Sequence, residues 1–169
     1  MMLPSSCELT DRRHSLRRLV RSLLLAYAAA AVGAIASIDA ATFYAHLVRP
    51  AWAPPGWVFG PVWTALYGMM GFALWRVWQV RPAKSSAVLI FYAQLVVNAV
   101  WSWLFFRWHL GAVAFVWIVL LVVLLGITVR VFWRISRVAG ALLLPYLAWV
   151  LFACALSWAV WRANPASLG

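Results

Sequence analysis

The sequence predicts an all-α integral membrane protein: a compact bundle of five transmembrane helices with a proline- and tryptophan-rich loop between helices 1 and 2. Three observations predict it. Of the 169 residues, 67% are hydrophobic and only 10% are charged, which is more apolar surface than a small water-soluble domain can bury. The apolar residues fall into five runs, each near the roughly 20 residues that a spanning helix needs. Short basic stretches separate most of these runs.

The first apolar run, residues 19–41, follows a basic segment, residues 1–18, that we interpret as a cytoplasmic tail. The run is long enough to cross a bilayer, so we interpret it as a retained helix rather than a cleaved signal peptide. Unpaired backbone groups are costly in hydrocarbon, so each run should form a continuous helix. The other predicted helices cover residues 57–80, 87–106, 110–129 and 140–161, which completes a domain over 19–162 followed by a short tail, 163–169.

Two further features bear on assembly. The connectors are short, so helices that are consecutive in sequence are expected to be antiparallel neighbours. The first helix carries small residues, Ala26, Ala30, Gly33 and Ser37, at helical spacing. Such a seam favours close helix packing, either within the bundle or between two copies of the chain in a homodimer.

The basic residues predict the orientation. The tail and the second and fourth connectors hold 11 of the 14 Lys and Arg residues. Because basic residues near membrane spans stay on the cytoplasmic side, we expect a protein of the cytoplasmic membrane with its N-terminus in the cytoplasm and its proline-rich loop on the opposite side. Short basic clusters between apolar runs fit lipid headgroups better than a nucleic acid, so no nucleic-acid partner is expected.

The segment Phe43–Tyr67 interrupts the helical pattern. Pro54 and Pro55 each remove a backbone donor and push the preceding residue out of the α region, so no helix should run through the segment. Its aromatic residues Trp52, Trp57 and Phe59 would then need a place to bury. A rigid aromatic segment of this kind is typical of a folded lid over a site.

Three predicted helices carry functional candidates along one face. Side chains spaced i, i+4, i+7 share a helix face, and buried amides in a membrane should face protein or a cavity. Two interpretations of these amides stay open, hydrogen bonding between helices and contact with a ligand. The stripes are Trp63, Tyr67 and Met70; Gln94, Asn98, Trp101 and Phe105; and Tyr146, Trp149, Ala153 and Leu156.

These motifs together resemble the TspO/MBR family, also called translocator proteins and tryptophan-rich sensory proteins. The resemblance covers nearly the whole chain beyond the N-terminal tail. It departs from the family at Phe43, Arg49 and Ser157, and the fourth helix lacks the family's carboxylate, with Trp117 as a substitute for part of its aromatic wall. The proposed cholesterol motif of animal members lacks its tyrosine here. The residues that carry the resemblance are Phe43-Tyr44, Leu47, Arg49-Pro50, Trp52, Pro54-Pro55, Phe59, Trp63, Leu66-Tyr67, Gln94-Leu95, Asn98, Trp101, Phe105-Phe106, Pro145-Tyr146-Leu147, Trp149, Ala153 and Leu156.

The resemblance implies a protein that binds porphyrins, other tetrapyrroles or similar flat apolar molecules inside the bundle, for sensing, transport or scavenging. The alternative is a light-dependent enzyme that degrades protoporphyrin through Trp63 and Trp149. No cofactor or metal is expected, and His46 is only a weak candidate for a haem ligand. The ligand-binding residues it implies are Trp52, Phe59, Trp63, Tyr67, Gln94, Asn98, Trp101, Tyr146, Trp149, Ala153 and Leu156.

A proton-coupled multidrug exporter is a third function class that the size of the chain suggests. Proton coupling inside a membrane normally uses a buried carboxylate or histidine. The acids of this chain are Glu8, Asp11 and Asp39, and none falls in the middle of a predicted span. The sequence therefore disfavours this class.

Overall fold

The computed structural model describes residues 6–81 and 85–169, with side chains from residue 12 onward. A 3-10 turn (Gly56–Val58) precedes α3 and a π-helical turn (Trp103–Arg107) continues α4. Five helices are long and apolar enough to cross a membrane, which confirms the predicted five-helix membrane bundle. The helices are α1 (Ser6–Ala36), α2 (Ala40–His46), α3 (Phe59–Trp78), α4 (Ser86–Ser102), α5 (Gly111–Ile135), α6 (Arg137–Ala163) and α7 (Pro165–Leu168).

The first helix differs from the prediction at both ends. It begins at Ser6 rather than residue 19 and ends at Ala36 rather than residue 41. After a turn, the chain forms the short helix α2, which contains Phe43 and Tyr44 from the segment expected to be free of helix. A proline restricts itself and the residue before it. The prolines at 50, 54 and 55 therefore leave the chain free to be helical as far as His46.

The N-terminal turns of α1 pack on the end of α3. The Arg18 Nη1 donates to the carbonyl oxygen of Trp78, 3.0 Å away. The Trp75 Nε1 donates to the Ser15 carbonyl oxygen at 3.1 Å, and the Gln79 Nε2 donates to Ser15 Oγ at 2.9 Å. A cation beside the last carbonyls of a helix complements its dipole. Residues 12–18 are thus part of the helical bundle, although their polar sequence indicated a separate tail.

The five long helices form a closed ring in the order α1, α3, α6, α5, α4, with α4 returning to α1. The helices α3 and α4 make little contact although only residues 79–85 join them, so the expectation that consecutive helices are neighbours is wrong for this pair. Seven extended residues span about 23 Å, and packed helices lie about 8–10 Å apart. The connector is therefore long enough to cross the end of the bundle.

The ring is solidly packed at the end where α1 begins and α3 finishes. Its fully buried side chains there include Leu74, Phe91, Phe132 and Leu143. The rings of Phe91 and Phe132 stack with centroids 5.5 Å apart, which joins α4 to α5. Dense packing at this end leaves the internal space of the bundle at the opposite end, beside α2 and the N-terminus of α3.

The connecting loop, residues 47–55, joins α2 to the 3-10 turn. The Ala53 N–H donates to the Pro50 carbonyl oxygen at 2.9 Å, which closes a tight turn. Trp52 and Trp57 are 52% and 76% exposed, so the expectation that they bury is wrong, whereas Phe59 is partly buried. Indoles prefer the interface between membrane and water, and a loop at the end of the bundle can leave them there.

Two glycines let helix backbones approach closely. A Cβ built on Gly140 would lie 2.8 Å from the Cα of Trp133, and one on Gly71 would lie 3.0 Å from the Cα of Leu23. Both distances involve backbone atoms, which cannot move aside as a flexible side chain can. Gly140 faces Trp133 across a turn in which Ser136 alone separates α5 from α6, so this hairpin depends on the missing side chain.

We expect Gly140→Ala to destabilise the bundle by about 1–3 kcal/mol, because its methyl group overpacks the contact with Trp133. The matched control is Gly126→Ala in α5, where an added Cβ meets no atom within 4 Å among the described residues. That change should be neutral or stabilising by up to about 1 kcal/mol, since alanine favours a helix. Thermal unfolding in detergent measures both variants. Equal melting temperatures for the two would contradict the tight α5–α6 contact.

Candidate ligand-binding cavity

A cavity of about 460 Å³ lies inside the ring at the end that carries the connecting loop. Its described lining comes from α1, α2, the turn at Gly56, α3, α4 with its π turn, and α6. The two flanks of the connecting loop, Tyr44 and Gly56, reach the cavity and close its end. The helix α5 supports the ring from behind, and the Trp117 Nε1 on this helix donates to the Val97 carbonyl oxygen at 2.9 Å. The predicted role of Trp117 in an aromatic wall is therefore not supported by its position.

The structure gathers most of the predicted site residues in this cavity. They come from three helices, of which α3 and α6 are neighbours in the ring and α4 faces them across the cavity. Their role as ligand contacts stays a prediction, but their common location follows from the fold. The predicted residues that line the cavity are Phe59, Trp63, Tyr67, Asn98, Trp101, Trp149, Ala153 and Leu156.

Gln94 and Tyr146 lie one layer deeper, and both side chains are fully buried. The Tyr146 hydroxyl donates to Gln94 Oε1 at 3.0 Å, which joins α6 to α4. The Trp63 ring packs edge-on against Tyr146 with centroids 6.0 Å apart. This pair supports the wall from behind, so the interpretation of Gln94 as an interhelical hydrogen-bonding residue fits its geometry.

Asn98 combines the two roles that the sequence left open. Its Nδ2 donates to the Tyr67 hydroxyl at 3.0 Å, which links α4 to α3, and both side chains also line the cavity. Because the hydroxyl oxygen accepts this bond, the hydroxyl proton of Tyr67 is available to an acceptor in the cavity.

Trp52 is the predicted site residue that the structure places elsewhere. It lies on a separate external groove with Phe115, Cys154 and Trp158, and its ring packs edge-on against Phe152 at 5.8 Å. The tight turn of the connecting loop directs it to this outer face, away from the cavity. Sequence reasoning could not distinguish the two directions, because a loop has no periodicity that assigns a face.

The π turn explains how neighbouring phenylalanines both reach the cavity. In this turn the Trp108 N–H donates to the Trp103 carbonyl oxygen, five residues back, at 2.9 Å. A π turn inserts an extra residue into the helix, and here both Phe105 and Phe106 line the cavity. The rings of Trp101 and Phe105 stack with centroids 5.4 Å apart. Sequence reasoning missed Phe106 because it assumed a regular helix.

The small residues of α1 provide much of the space. Ala30, Gly33 and Ser37 line the cavity, while Ala26 is fully buried in the helix packing. A Cβ on Gly33 would lie 3.2 Å from Ser102 Oγ on α4, so this glycine also permits a close helix contact. The predicted seam of small residues therefore divides between packing and cavity lining.

The cavity carries hydrogen-bond donors and no charge among its described lining residues. The indole Nε1 atoms of Trp101 and Trp149 are buried and have no hydrogen-bond partner among the described residues. A buried donor left unpaired costs about 1–3 kcal/mol. These two donors are buried in the wall of the cavity rather than exposed to its interior.

The cavity opens sideways between α1 and α3. The lining residues that are exposed, such as Tyr27, Ala34 and Thr64, belong to α1, α2, Gly56 and α3, whereas those of α4 and α6 are buried or partly buried. The Tyr27 hydroxyl donates to the Thr64 carbonyl oxygen at 3.1 Å and bridges the gap. The opening lies within apolar spans, so it faces the lipid.

The end of the cavity is fixed by polar contacts around Tyr44. Its hydroxyl donates to the Pro54 carbonyl oxygen at 3.3 Å, and the Arg49 guanidinium lies 4.9 Å from the centre of its ring. Burial raises the pKa of the Tyr44 phenol above its ordinary value, and the charge of Arg49 opposes this shift. The phenol thus stays protonated as the donor. His46 contacts its own helix through the Thr42 carbonyl oxygen, 2.7 Å from Nδ1, and lies outside the cavity lining.

The fold and cavity together define a class: a small multi-pass membrane protein with an aromatic, uncharged internal cavity, closed at one end by the two flanks of a proline-rich loop. The family model that matches the chain, over residues 22–162, is that of the TspO/MBR family. The chain belongs to this family, as the sequence motifs indicated.

Relatives from bacteria and animals agree with this assignment. The chain is 42% identical over 130 residues to the tryptophan-rich protein TspO of Chlorobaculum tepidum, covering 75% of this chain and 82% of that protein. It is 35% identical over 126 residues to the translocator protein of Homo sapiens, covering 72% and 75%. It is 34% identical over 137 residues to the tryptophan-rich sensory protein of Cereibacter sphaeroides, covering 81% and 85%.

Proposed function

We propose that the protein binds a porphyrin or a similar flat, apolar tetrapyrrole in the cavity, and acts in tetrapyrrole sensing, transport or scavenging. The observation that carries this proposal is the lining: aromatic rings around an uncharged space of about 460 Å³. Small-molecule sites are typically concave, mostly apolar and about 300–1,000 Å³ in volume. The volume and the apolar lining of the cavity both fall within what is typical of small-molecule sites, which supports the proposal.

The arrangement of the rings supports a flat ligand. Phe59 packs edge-on against Trp149 at 5.8 Å, and Trp63 lies 5.6 Å from Tyr67. Aromatic groups prefer offset-stacked or edge-to-face contacts, and these pairs line a space into which a planar molecule could insert. The small side chain of Ala153, beside Trp149 on α6, keeps that space open.

Hydrogen bonding and access narrow the ligand class further. The hydroxyl proton of Tyr67, available because the hydroxyl oxygen accepts from Asn98, favours a ligand with acceptors at its edge, such as the carboxylates or carbonyls of a tetrapyrrole. The lateral gap between α1 and α3 favours a molecule that dissolves in the bilayer. A tetrapyrrole with an apolar face and an edge of acceptors combines both properties.

We expect Ala153→Phe to abolish binding of protoporphyrin IX, because its ring would occupy the cavity. The matched control is Ala155→Phe on the same helix, since Ala155 faces the external groove instead. The control should bind within about twofold of wild type. Quenching of tryptophan fluorescence by added protoporphyrin IX in detergent measures both affinities. Wild-type affinity in Ala153→Phe would show that the porphyrin binds outside the cavity.

A second candidate function is light-dependent degradation of protoporphyrin. The observation that favours it is that Trp63 and Trp149 both line the cavity, where an indole in contact with an excited porphyrin could exchange an electron with it. The described lining residues offer indoles, phenols, serine and threonine hydroxyls and one amide, and none is a carboxylate, histidine or cysteine. A hydroxyl nucleophile needs an adjacent general base, and these lining residues supply no carboxylate or histidine for that role, so photochemistry is the reaction class to test.

Phenylalanine at positions 63 and 149 separates binding from photochemistry, because it keeps an aromatic face and is harder to oxidise. We expect Trp63→Phe and Trp149→Phe to retain porphyrin binding, with a loss of about 1 kcal/mol from stacking. A binding protein should leave bound porphyrin to bleach in light at the same rate in wild type and both variants. Faster bleaching by wild type, lost in either variant and absent in the dark, would establish the enzyme instead.

For orientation, we propose that the N-terminus lies in the cytoplasm and the cavity end on the opposite side. The bond from Arg18 to Trp78 brings the start of α1 to the end of α3. The antiparallel course of the helices adds the α4 start and the α5–α6 turn to this end. The basic clusters of the chain therefore share one end of the bundle, which the positive-inside rule assigns to the cytoplasm.

Reporter fusions after Arg81 and after His109 test this orientation. A cytoplasmic reporter such as a fluorescent protein that folds only inside the cell should be active after Arg81, and a reporter active only outside should work after His109. The expected result follows from the excess of basic residues at the first end. The reversed pattern would overturn the orientation, and activity of the same reporter at both positions would contradict the single span between them.

A further inference from the structure

Asn164, the residue directly after α6, makes three hydrogen bonds with its side chain. Its Oδ1 accepts from the Val48 N–H at 2.8 Å. Its Nδ2 donates to the Val48 carbonyl oxygen at 2.9 Å and to the Val160 carbonyl oxygen at 2.7 Å. Asn164 is 8% exposed, so these bonds are largely protected from water. The side chain thus satisfies three backbone groups from two distant parts of the chain.

The contact with Val48 holds the backbone of the connecting loop. Binding both the N–H and the carbonyl of one residue fixes its position and its orientation, as a paired strand would. The Val48 side chain is 62% exposed, so burial of this side chain does not hold the loop at this position. The neighbouring Leu47 is buried and anchors the chain just before the bond. The Asn164 amide therefore holds the backbone of the loop in place at Val48.

The end of α6 does not itself explain the asparagine. Asparagine is often found after a helix because it tolerates the left-handed conformation. Asn164 has φ −132° and ψ 56°, outside that conformation, so many residues could end the helix here. Its backbone carbonyl accepts from the N–H groups of Ser167 and Leu168, which fixes α7, but any residue provides that carbonyl. What requires the amide side chain is the pairing with Val48.

These bonds reach the cavity at two points. Val160, whose carbonyl oxygen accepts from Asn164, lines the cavity on α6. At the other end of the connecting loop, Pro54 accepts from Tyr44, which lines the cavity on α2. The loop is thus tied to the wall of the cavity at both of its ends, by Asn164 at Val48 and by Tyr44 at Pro54.

We propose that Asn164 is a positioning residue that clamps the connecting loop against α6 and so holds the end of the cavity closed over its ligand. The ligand part of this proposal rests on the proposed function, whereas the clamp can be tested without a ligand. Releasing the clamp frees the loop and with it α2 and Gly56, which close the cavity. A bound molecule should then leave faster.

The first test is hydrogen–deuterium exchange of the ligand-free protein, followed at the Val48 and Ala53 amides. Asn164→Ala should speed exchange at Val48 by about tenfold or more, because each tenfold corresponds to the loss of a hydrogen bond of ordinary strength. Asn164→Asp keeps the acceptor for the Val48 N–H and should give a smaller increase. Ser167→Ala, an exposed change in α7, is the control and should leave exchange unchanged. Amides of Leu143 and Val150 within α6 report whether each variant keeps its fold.

The second test is the dissociation rate of protoporphyrin IX, measured by dilution or by displacement in detergent. Asn164→Ala should release the porphyrin several-fold faster than wild type or Ser167→Ala, with protected α6 amides unchanged. Unchanged Val48 exchange in Asn164→Ala overturns the clamp. Faster exchange with an unchanged dissociation rate overturns its role in retaining the ligand. If wild type binds no porphyrin, the proposed function fails, and the exchange experiment still decides the clamp.

Discussion

The structure depends on one constraint, that backbone polar groups inside a bilayer must find their hydrogen bonds within the protein. Continuous helices meet it throughout the five spans, so irregular backbone is confined to the ends of the bundle. The connecting loop lies at such an end: its prolines remove donors, and Asn164, Tyr44 and its own turn pair the backbone of Val48, Pro54, Pro50 and Ala53. The π turn after α4 keeps its bonds by reaching five residues back. The π turn lines the cavity, and the connecting loop lies beside it, joined to it through Tyr44 and Gly56.

The sequence predicted the number and approximate location of the spans because lipid leaves a strong, one-dimensional signal of apolar residues. It did not predict the features that depend on contacts between residues distant in the sequence. The part of α1 before residue 19 is polar, so the sequence indicates a tail outside the bundle. Its contacts with Trp75 and Gln79 use one backbone carbonyl and one hydroxyl of Ser15, which leave no apolar pattern in the sequence. The ring order, in which α3 and α4 are not neighbours, follows from helix packing that connector length does not determine.

The candidate site shows the same division. Residues on helices were assigned to a face by their spacing, and Trp63, Tyr67 and Trp149 accordingly share the cavity. Spacing does not tell how far along the helix axis the cavity extends. Gln94 and Tyr146 are therefore on the predicted faces of their helices but are buried beyond the cavity lining. Spacing gives no direction for a loop, which is why Trp52 was placed in the site. Asn164 was missed because a single polar residue after a helix end gives no sign of a partner 116 positions away.

The packing of the two ends of the bundle explains why one protein can be both stable and open. Close packing around Phe91, Phe132 and the glycine contact at Gly140 concentrates the stabilising contacts at the basic end. The other end keeps a cavity, whose lining side chains lack the packing contacts that a filled core would give them. This cost is tolerated because the packed end holds the ring together. A molecule that filled the cavity would supply the missing packing contacts, so the space that lowers the stability of the empty bundle would favour binding.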